Sequence, residues 1–370
     1  MQAVILVGGF GTRMRPLTTT RPKPLIPFAN EPLLLHTIRQ LASGGVREVI
    51  LSTGYLPETF DELVPLGRKA GVEVVLSSET IPMGTSGAVK MIDDRLEERF
   101  LVLNGDVLVD VDFAALVAEH REHGASATLA LVRVPDPSAF GLVPIDADRR
   151  VLEFLEKPGP DEWATDLINA GVYVLDRQVL SHVGEGNSSF ERNLFPSLLA
   201  SGALVRGHEL LGYWRDLGTP LAYMQAQFDL LEGRLHLPVN AAEHGRSQWY
   251  ADGAMVDHGA ILRGPVLIGE GAQIEREGRV FGPAVLGPNA RVTAGAIVER
   301  SVLLDGAVVH GNARVSDAIL GSNVVVGEGA VVREGAVLGD DVVVEGGNVL
   351  GGGVRIAAGV RLGQGAILMG

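Results

Sequence analysis

The stretch "VGGFGTRMRPLTTTRPKPLIPF", Val7 to Phe28, carries Arg13, Arg15, Arg21 and Lys23, and no Asp or Glu precedes Glu31. The whole chain has a formal charge of -14, so this opening is locally basic in an acidic protein. Such a segment suits a polyanion held at one place. Gly8, Gly9 and Gly11 follow an apolar run; glycines there let the backbone approach a ligand and aim N–H groups at anionic oxygen. Arg13 can grip a phosphate with two parallel hydrogen bonds, and Lys23 supplies a mobile point charge. The spacing is not the GxxxxGK[ST] of a Walker loop. It also lacks the third glycine of a dinucleotide fingerprint. The competing reading is a Gly/Pro-rich connection with solvated cations. The acid-free window and the strand ahead of it both count against that.

Composition narrows the partners. A length of 370 residues suggests two domains, and 46% hydrophobic residues are enough for packed cores. The acidic balance disfavours nonspecific binding to nucleic acid or anionic membrane, so neither is an expected partner. With no cysteine, disulfides, thiolate nucleophiles and thiolate metal sites are excluded, and a cytoplasmic location fits. "AVILV" at Ala3–Val7 is too short for a signal segment or a membrane span and reads as a buried first strand.

The elements that must position the basic segment follow from hydrophobic periodicity. Strands are expected at 3–7, 48–53, 72–78, 99–106 and 127–134. Between them, "EPLLLHTIRQLASGG" places Leu34, Leu35, Ile38 and Leu41 on one helical face and stops at Gly44-Gly45. "DFAALVAEHREHG" has Asp112 as its N-cap and ends at Gly124. This alternation predicts an α/β domain over 1–232 with a Rossmann-like, doubly wound mixed sheet. Ligands of such sheets sit beyond the carboxyl ends of the strands, so the loops after Val7, Thr53 and Leu103 are the first candidates. Residues 233–250 lose both periods and read as a linker.

From 251 to 370 the pattern changes. Val256, Leu262, Ile268, Ile274, Val280, Leu286, Val292, Val298 and Leu304 recur every six residues. The phase then slips, and Leu320 to Leu368 continue at the same step. This is a hexapeptide repeat, in which each hexad forms one flat side of a coil of a left-handed parallel β-helix. The slip near 310–316 is expected to be a loop or a corner adjustment. Such solenoids expose their ends and flat sides, so a homo-oligomer is expected.

The N-terminal segment resembles the signature of the sugar-1-phosphate nucleotidylyltransferases, GGxGTRxRPLT…PKPL. Six further stretches match in order: "MGTSGA" (83–88), "NGD" (104–106), "FG" (140–141), "EKP" (156–158), "NAG" (169–171) and "WRDLGTP" (214–220). The resemblance spans about 1–232, and an appended hexapeptide repeat also occurs in that family. It implies that a nucleoside triphosphate and a sugar 1-phosphate give a nucleotide-sugar and pyrophosphate. The nucleophile is already an anion at neutral pH, so in-line positioning and charge neutralisation are what the protein must supply. No Ser/His/Asp or Cys/His constellation is needed.

The resemblance assigns the positions residue by residue. Gly8, Gly9, Gly11, Thr12, Arg13 and Lys23 would bind the nucleotide, with Arg13 and Lys23 also catalytic. Gly84 and Thr85 would line the base. Gly141, Glu156, Lys157 and Asn169 would take the sugar phosphate. Asp106 and Asp216 would hold Mg²⁺, which favours one or two carboxylates plus phosphate oxygens and water. Asn104-Gly105 between apolar runs is also a hairpin signal, a competing reading of Asp106. "KPL" stands where thymidylyl enzymes typically read KQL and uridylyl enzymes KEM, which favours GTP and mannose 1-phosphate. The alternatives are dTTP, UTP or ATP with glucose 1-phosphate, a noncatalytic regulatory homologue, and a bifunctional chain using His258 or His310 for acyl transfer.

Overall fold

The computed structural model of the chain describes residues 1–370 apart from 80, 157, 158, 160, 161, 162, 164 and 246, together with the side chain of Glu156. The chain divides into two compact units: Met1–Gly9 with Leu34–Arg215, and Phe10–Leu33 with Asp216–Gly370. The basic segment therefore groups with the C-terminal half rather than with the sheet that precedes it in sequence.

In the first unit, Gln2–Leu6 lies between Glu48–Thr53 and Arg99–Asn104, parallel to both, and Glu73–Ser78 extends the parallel set. Ala3, Val4 and Ile5 are fully buried in succession, the continuous apolar run of a strand covered on both faces. Leu167–Asp176 runs antiparallel beside Arg99–Asn104 and makes the sheet mixed. Ala127–Arg133 pairs with it and with the parallel strand Val205–Glu209. The strands and helices expected from periodicity are present with shifts of one or two residues at their ends. Asp112 caps the helix Phe113–His123 by accepting the Ala115 N–H at 2.9 Å, and Gly124 ends it in the left-handed region at φ 60°. The core on one side of the sheet is aromatic: Tyr173, Phe190 and Phe195 pack with ring centroids 5.1 to 5.5 Å apart.

Among the described residues the second unit contains three sheets of eight, seven and seven strands, parallel throughout except for one antiparallel pair at the start of the first. They form the flat sides of a parallel β-helix, consistent with the left-handed hexapeptide type. Its interior is mainly aliphatic, with Ile268, Ala272, Ile274, Val280 and Ala284 among its side chains, and it also buries the hydrogen-bonded Asn348. Ala242–Glu243 pairs antiparallel with Gln248–Tyr250, which in turn lies parallel to Val266–Ile268, so the solenoid's first strand falls within the stretch 233–250.

The phase slip is not a loop at 310–316. Val266 pairs with Ala284, a step of 18 residues, but Val285 pairs with Val302 and Val302 with Ile319, steps of 17. Two corners have each lost one residue. Leu303, not Leu304, therefore points inward. The tight corners turn at Arg300 (φ 45°) and Asp317 (φ 47°), whose side chains pair at 3.0 Å. Buried Ser301 bridges the two coils: its hydroxyl donates to Glu299 O and accepts the Ala318 N–H. The Arg300 guanidinium also lies 5.5 Å from the ring of Phe228, on the helix Pro220–Leu231.

Candidate functional site

The basic segment is built around Gly11. Its φ of 58° is a left-handed conformation, and an added Cβ would sit 3.0 Å from Thr18 Cγ2 and 3.2 Å from Lys23 Cβ, so glycine is required there. The Gly11 carbonyl accepts the Met14 N–H at 3.0 Å and the Thr18 hydroxyl at 2.8 Å, closing the short helical turn Thr12–Met14. Arg13 projects from that turn with 69% of its side chain exposed, whereas the Lys23 side chain is 7% exposed. Both face one carboxylate: Arg13 Nη2 lies 3.7 Å from Asp216 Oδ2, and Lys23 Nζ lies 3.6 Å from Asp216 Oδ1. Gly218 keeps the place open, because a Cβ there would come within 2.7 Å of both Arg13 Nη2 and Asp216 Oδ2.

The fold thus brings together Arg13, Lys23 and Asp216, separated by about two hundred positions in the chain. Arg21 does not join them. It pairs with Asp340 at 3.2 Å, so this cation of the basic segment is taken up by the β-helix.

In the first unit, Gly8 and Gly9 follow the strand Gln2–Leu6. Gly8 sits against Gly54 and the carboxylate of Glu79, which accepts the Ser52 hydroxyl and the Met83 N–H. Asp106 follows Arg99–Asn104 at its carboxyl end. The hairpin reading fails here: Val107–Val109 pairs with the strand that begins at Trp214, and Arg99–Asn104 pairs with its parallel and antiparallel neighbours. Gly105 makes the exit possible, since a Cβ there would lie 2.5 Å from Val7 Cγ1 and 2.9 Å from Leu6 O.

Asn169 begins a bulge in the long strand Leu167–Asp176, where pairing with Ala127–Arg133 shifts register. Its side-chain oxygen accepts the Gly171 N–H at 3.0 Å, and its amide donates to Tyr173 Oη at 2.8 Å. Gly171, at φ 76°, approaches Asn104 so closely that a Cβ would be 2.7 Å from Asn104 Nδ2. The bulge is thereby fixed beside the strand end that carries Asp106.

Tyr173 is fully buried, and burial pushes its phenol well above the ordinary range, helped by the negative charge of Glu191 and opposed by the Asn169 hydrogen bond; Asp106 adds a smaller push in the same direction. The phenol therefore stays protonated and donates to Glu191 Oε1 at 3.2 Å. Sequence reasoning passed over Glu191. A lone glutamate in "SSFERNLF" resembles any solvated acid, and only the aromatic residues around it, Phe190 and Phe195, hinted at a packed setting.

Gly84 and Thr85 open the helix Gly84–Lys90. Gly84 has φ 73° and would bring a Cβ within 2.4 Å of Ser188 O, and the Thr85 hydroxyl accepts the Phe190 N–H at 2.9 Å. These two residues clasp the segment that carries Glu191. Gly141 pairs with Glu156 in a short antiparallel ladder, Gly141–Leu142 with Leu155–Glu156. The Glu156 side chain and Lys157 lie outside the described residues. His258 and His310 are both exposed, and His258 pairs with Asp257 at 3.5 Å.

No group of three or more His, Cys, Asp or Glu able to hold a metal occurs among the described residues. Asp106 and Asp216 offer hard carboxylate oxygens, the donors Mg²⁺ prefers. That ion commonly takes only one or two protein carboxylates and completes its shell with water and phosphate. Each of the two carboxylates, taken singly, thus has the donor chemistry that such an ion takes. Among the described residues no helix is long and apolar enough to cross a membrane.

Comparison with known families gives two matches. A model described as nucleotidyl transferase covers residues 2–233, and one described as the GMPPB C-terminal domain covers 262–352. The mannose-1-phosphate guanylyltransferase of Mycobacterium tuberculosis is 42% identical over 303 residues, 81% of this chain and 83% of that protein. The mannose-1-phosphate guanylyltransferase catalytic subunit beta of Dictyostelium discoideum is 38% identical over 72% of this chain and 71% of its own length. Among solved structures, HddC from Yersinia pseudotuberculosis in complex with GMP-PN aligns with a TM-score of 0.53 and 27% identity, over 61% of this chain and 97% of that one.

Proposed function

Since the chain belongs to the nucleotidyl transferase family, we propose that it transfers guanylate from GTP to mannose 1-phosphate, releasing pyrophosphate and forming GDP-mannose. The observation that carries this reading is the pairing of Arg13 and buried Lys23 across Asp216 on a segment shaped by Gly11. Two cations held against one carboxylate are an anion site whose charges are already gathered and oriented. The names of the relatives from M. tuberculosis and D. discoideum support the base and the sugar.

In the reaction a phosphate oxygen of mannose 1-phosphate attacks the α-phosphorus of GTP, and the bond from that phosphorus to the bridging oxygen of the β-phosphate breaks. Pyrophosphate leaves with the bonding pair. No proton must be removed from the nucleophile, so the work of the protein is alignment and charge neutralisation. Arg13 and the backbone of 8–12 hold the triphosphate. Lys23, kept by burial from reaching solvent, faces the charge that develops on the departing oxygens. Glu156, Lys157, Gly141 and Asn169 receive the sugar phosphate, and Glu191, accepting from Tyr173, keeps Asn169 oriented. Asp106 and Asp216 would hold Mg²⁺, which neutralises phosphate charge when bound. Residues 1–232 act as the catalytic domain, with 233–250 leading into the β-helix of 251–370.

The same reading includes a cytoplasmic location, supported by the cysteine-free composition, and a homo-oligomer. Ile367 and Met369 on the last coil are 70% and 53% exposed and offer an apolar surface to a second copy. Sedimentation at monomer mass would remove the oligomer from the reading. The chemistry is tested by pyrophosphate release in a grid of GTP, dTTP, UTP and ATP against mannose, glucose and N-acetylglucosamine 1-phosphates, with Mg²⁺ and with chelator. The expected result is a dominant GTP–mannose cell that chelator abolishes. A dominant cell elsewhere overturns the specificity, and a blank grid from folded protein overturns the activity.

A further inference from the structure

The segment 10–33 lies along one side of the β-helix, and its contacts occur in strict order. Asn30 Nδ2 donates to Leu286 O at 3.0 Å. Arg21 Nη2 donates to Ser322 Oγ at 3.0 Å and reaches Asp340 Oδ2 at 3.2 Å, and the Thr20 hydroxyl donates to the same Asp340 oxygen at 2.5 Å. Pro16 packs against Gly339, where an added Cβ would be 3.1 Å away. Arg355 Nη1 donates to the carbonyls of Arg13 at 3.0 Å and Arg15 at 3.2 Å. Reading the segment backwards from 30 to 13 therefore climbs the coils forwards from 286 to 355. Every one of these partners lies in, or within two residues after, a strand of a single sheet, the one containing Ala284–Leu286, Ile319–Leu320, Val337–Leu338 and Arg355–Ile356.

Asp340 is the hub. It is 6% exposed, and its other oxygen accepts the Ser322 N–H at 2.8 Å within the solenoid. A buried carboxylate must have its charge compensated, and here the compensation comes from Thr20 and Arg21. Arg355 is a different device. One exposed nitrogen spans two carbonyls that flank Met14, next to the residue whose guanidinium faces Asp216.

We propose that this sheet of the β-helix is the template that sets the shape of the triphosphate-binding segment, with Asp340 and Arg355 as positioning residues acting through Arg13 and Lys23. The proposal rests on the reading of those two cations as nucleotide ligands. It gives the solenoid a role in the reaction itself: the rigid stack of coils supplies a fixed ruler, and the segment is held to it at several points. Precise placement of a charged group matters because small displacements of a binding residue are costly in rate.

The test uses the full chain and three variants: Asp340→Asn, which retains an acceptor for Ser322, Arg355→Ala on the exposed surface, and Arg355→Lys. Amide hydrogen exchange of residues 11–22, without substrate, reads the shape of the segment, and steady-state kinetics reads its use. The expected result is faster exchange confined to 11–22 in Asp340→Asn and Arg355→Ala. It is joined by a fall in kcat/KM for the triphosphate of about tenfold, with KM for the sugar 1-phosphate held within about twofold. Arg355→Lys recovers most of both, since a single nitrogen makes both bonds. Unchanged exchange and kinetics in Arg355→Ala together with Asp340→Asn overturn the proposal. So does a loss that falls equally on both substrates with exchange rising throughout the coils. If the parent chain turns over no substrate pair, the proposed function fails while the exchange measurement still decides the templating.

Discussion

The sheet unit and the β-helix bury their side chains in different ways. Around Leu167–Asp176 the sheet packs rings: Tyr173, Phe190 and Phe195 are each fully buried, and Phe154 stacks on Phe195 at 5.0 Å. The interior of the β-helix holds Val, Ile, Leu and Ala, repeated at the same place in every coil. The sheet's core is irregular, and it includes a phenol that donates to Glu191 beside the bulge at Asn169. The solenoid's core is more regular, and its buried polar groups, such as Ser301 and Asn348, hydrogen-bond to backbone groups. The Tyr173–Glu191 network thus sits where the packing is least repetitive, while the repetitive part supplies stiffness and a straight edge.

The largest expected effect lies at the strand end of the sheet unit. Asp106→Ala is expected to lower kcat/KM by about a thousandfold, the scale of losing a charge-organising group, with the circular dichroism spectrum unchanged. Near-parental pyrophosphate release would remove Asp106 from the mechanism. Stability separates the two cores next. Phe195→Ala is expected to destabilise by about 3–5 kcal/mol and Leu320→Ala by about 2–5 kcal/mol. Segment-resolved hydrogen exchange should confine the first loss to the sheet and the second to the coils near 320, since each coil rests only on its neighbours. Loss spread over both units in either variant would contradict the separation.

A smaller effect is expected from Glu191→Gln. The Tyr173 phenol keeps an acceptor but loses the charged one, and kcat/KM for the sugar 1-phosphate should fall about tenfold, with the triphosphate KM unchanged. An equal loss for both substrates would make Glu191 a general structural residue. The smallest effect is in pH. Burial pushes the His120 imidazole below its ordinary pKa, against the opposing pull of Asp176. The unfolded chain therefore binds more protons than the folded one as pH falls through the unfolded histidine range. That part of the sheet's stability is present above about pH 6.5 and is lost below it. Urea unfolding of the parent and His120→Gln across pH 5–8 checks the sign: the variant should flatten the acid side of the profile.

The two units also differed in how much could be read from sequence. A period of six residues announced the solenoid, because identical neighbours demand identical side chains. One detail escaped: the phase slip looked like a single event but is two one-residue losses at Arg300 and Asp317, each compensated by the other's side chain. In the sheet unit, strand positions and the Asp112 cap were legible because they rest on local rules. Leu167–Asp176, whose bulge breaks alternation, was not. At the site, Gly11, Arg13 and Lys23 carried a local signal in charge and glycine spacing. The partnership with Asp216 is non-local and needed the fold. The pairing of Arg21 could not be read because its partner is 319 positions away. Glu191 gave no signal because what distinguishes it is a phenol reached through a strand bulge.

The placement of residues 10–33 on coils near the other end of the chain has a consequence for synthesis. A ribosome makes this segment some three hundred residues before the strand bearing Arg355. The parallel strands within 1–104 can pair while translation continues, since domains begin to fold as they emerge. The segment 10–33 has no coils to lie on until Ser322, Asp340 and Arg355 have left the exit tunnel in turn. A nascent chain is thus kept from setting this segment early, and a product truncated before residue 355 would carry the basic residues without the bonds from Arg355 to the carbonyls of Arg13 and Arg15.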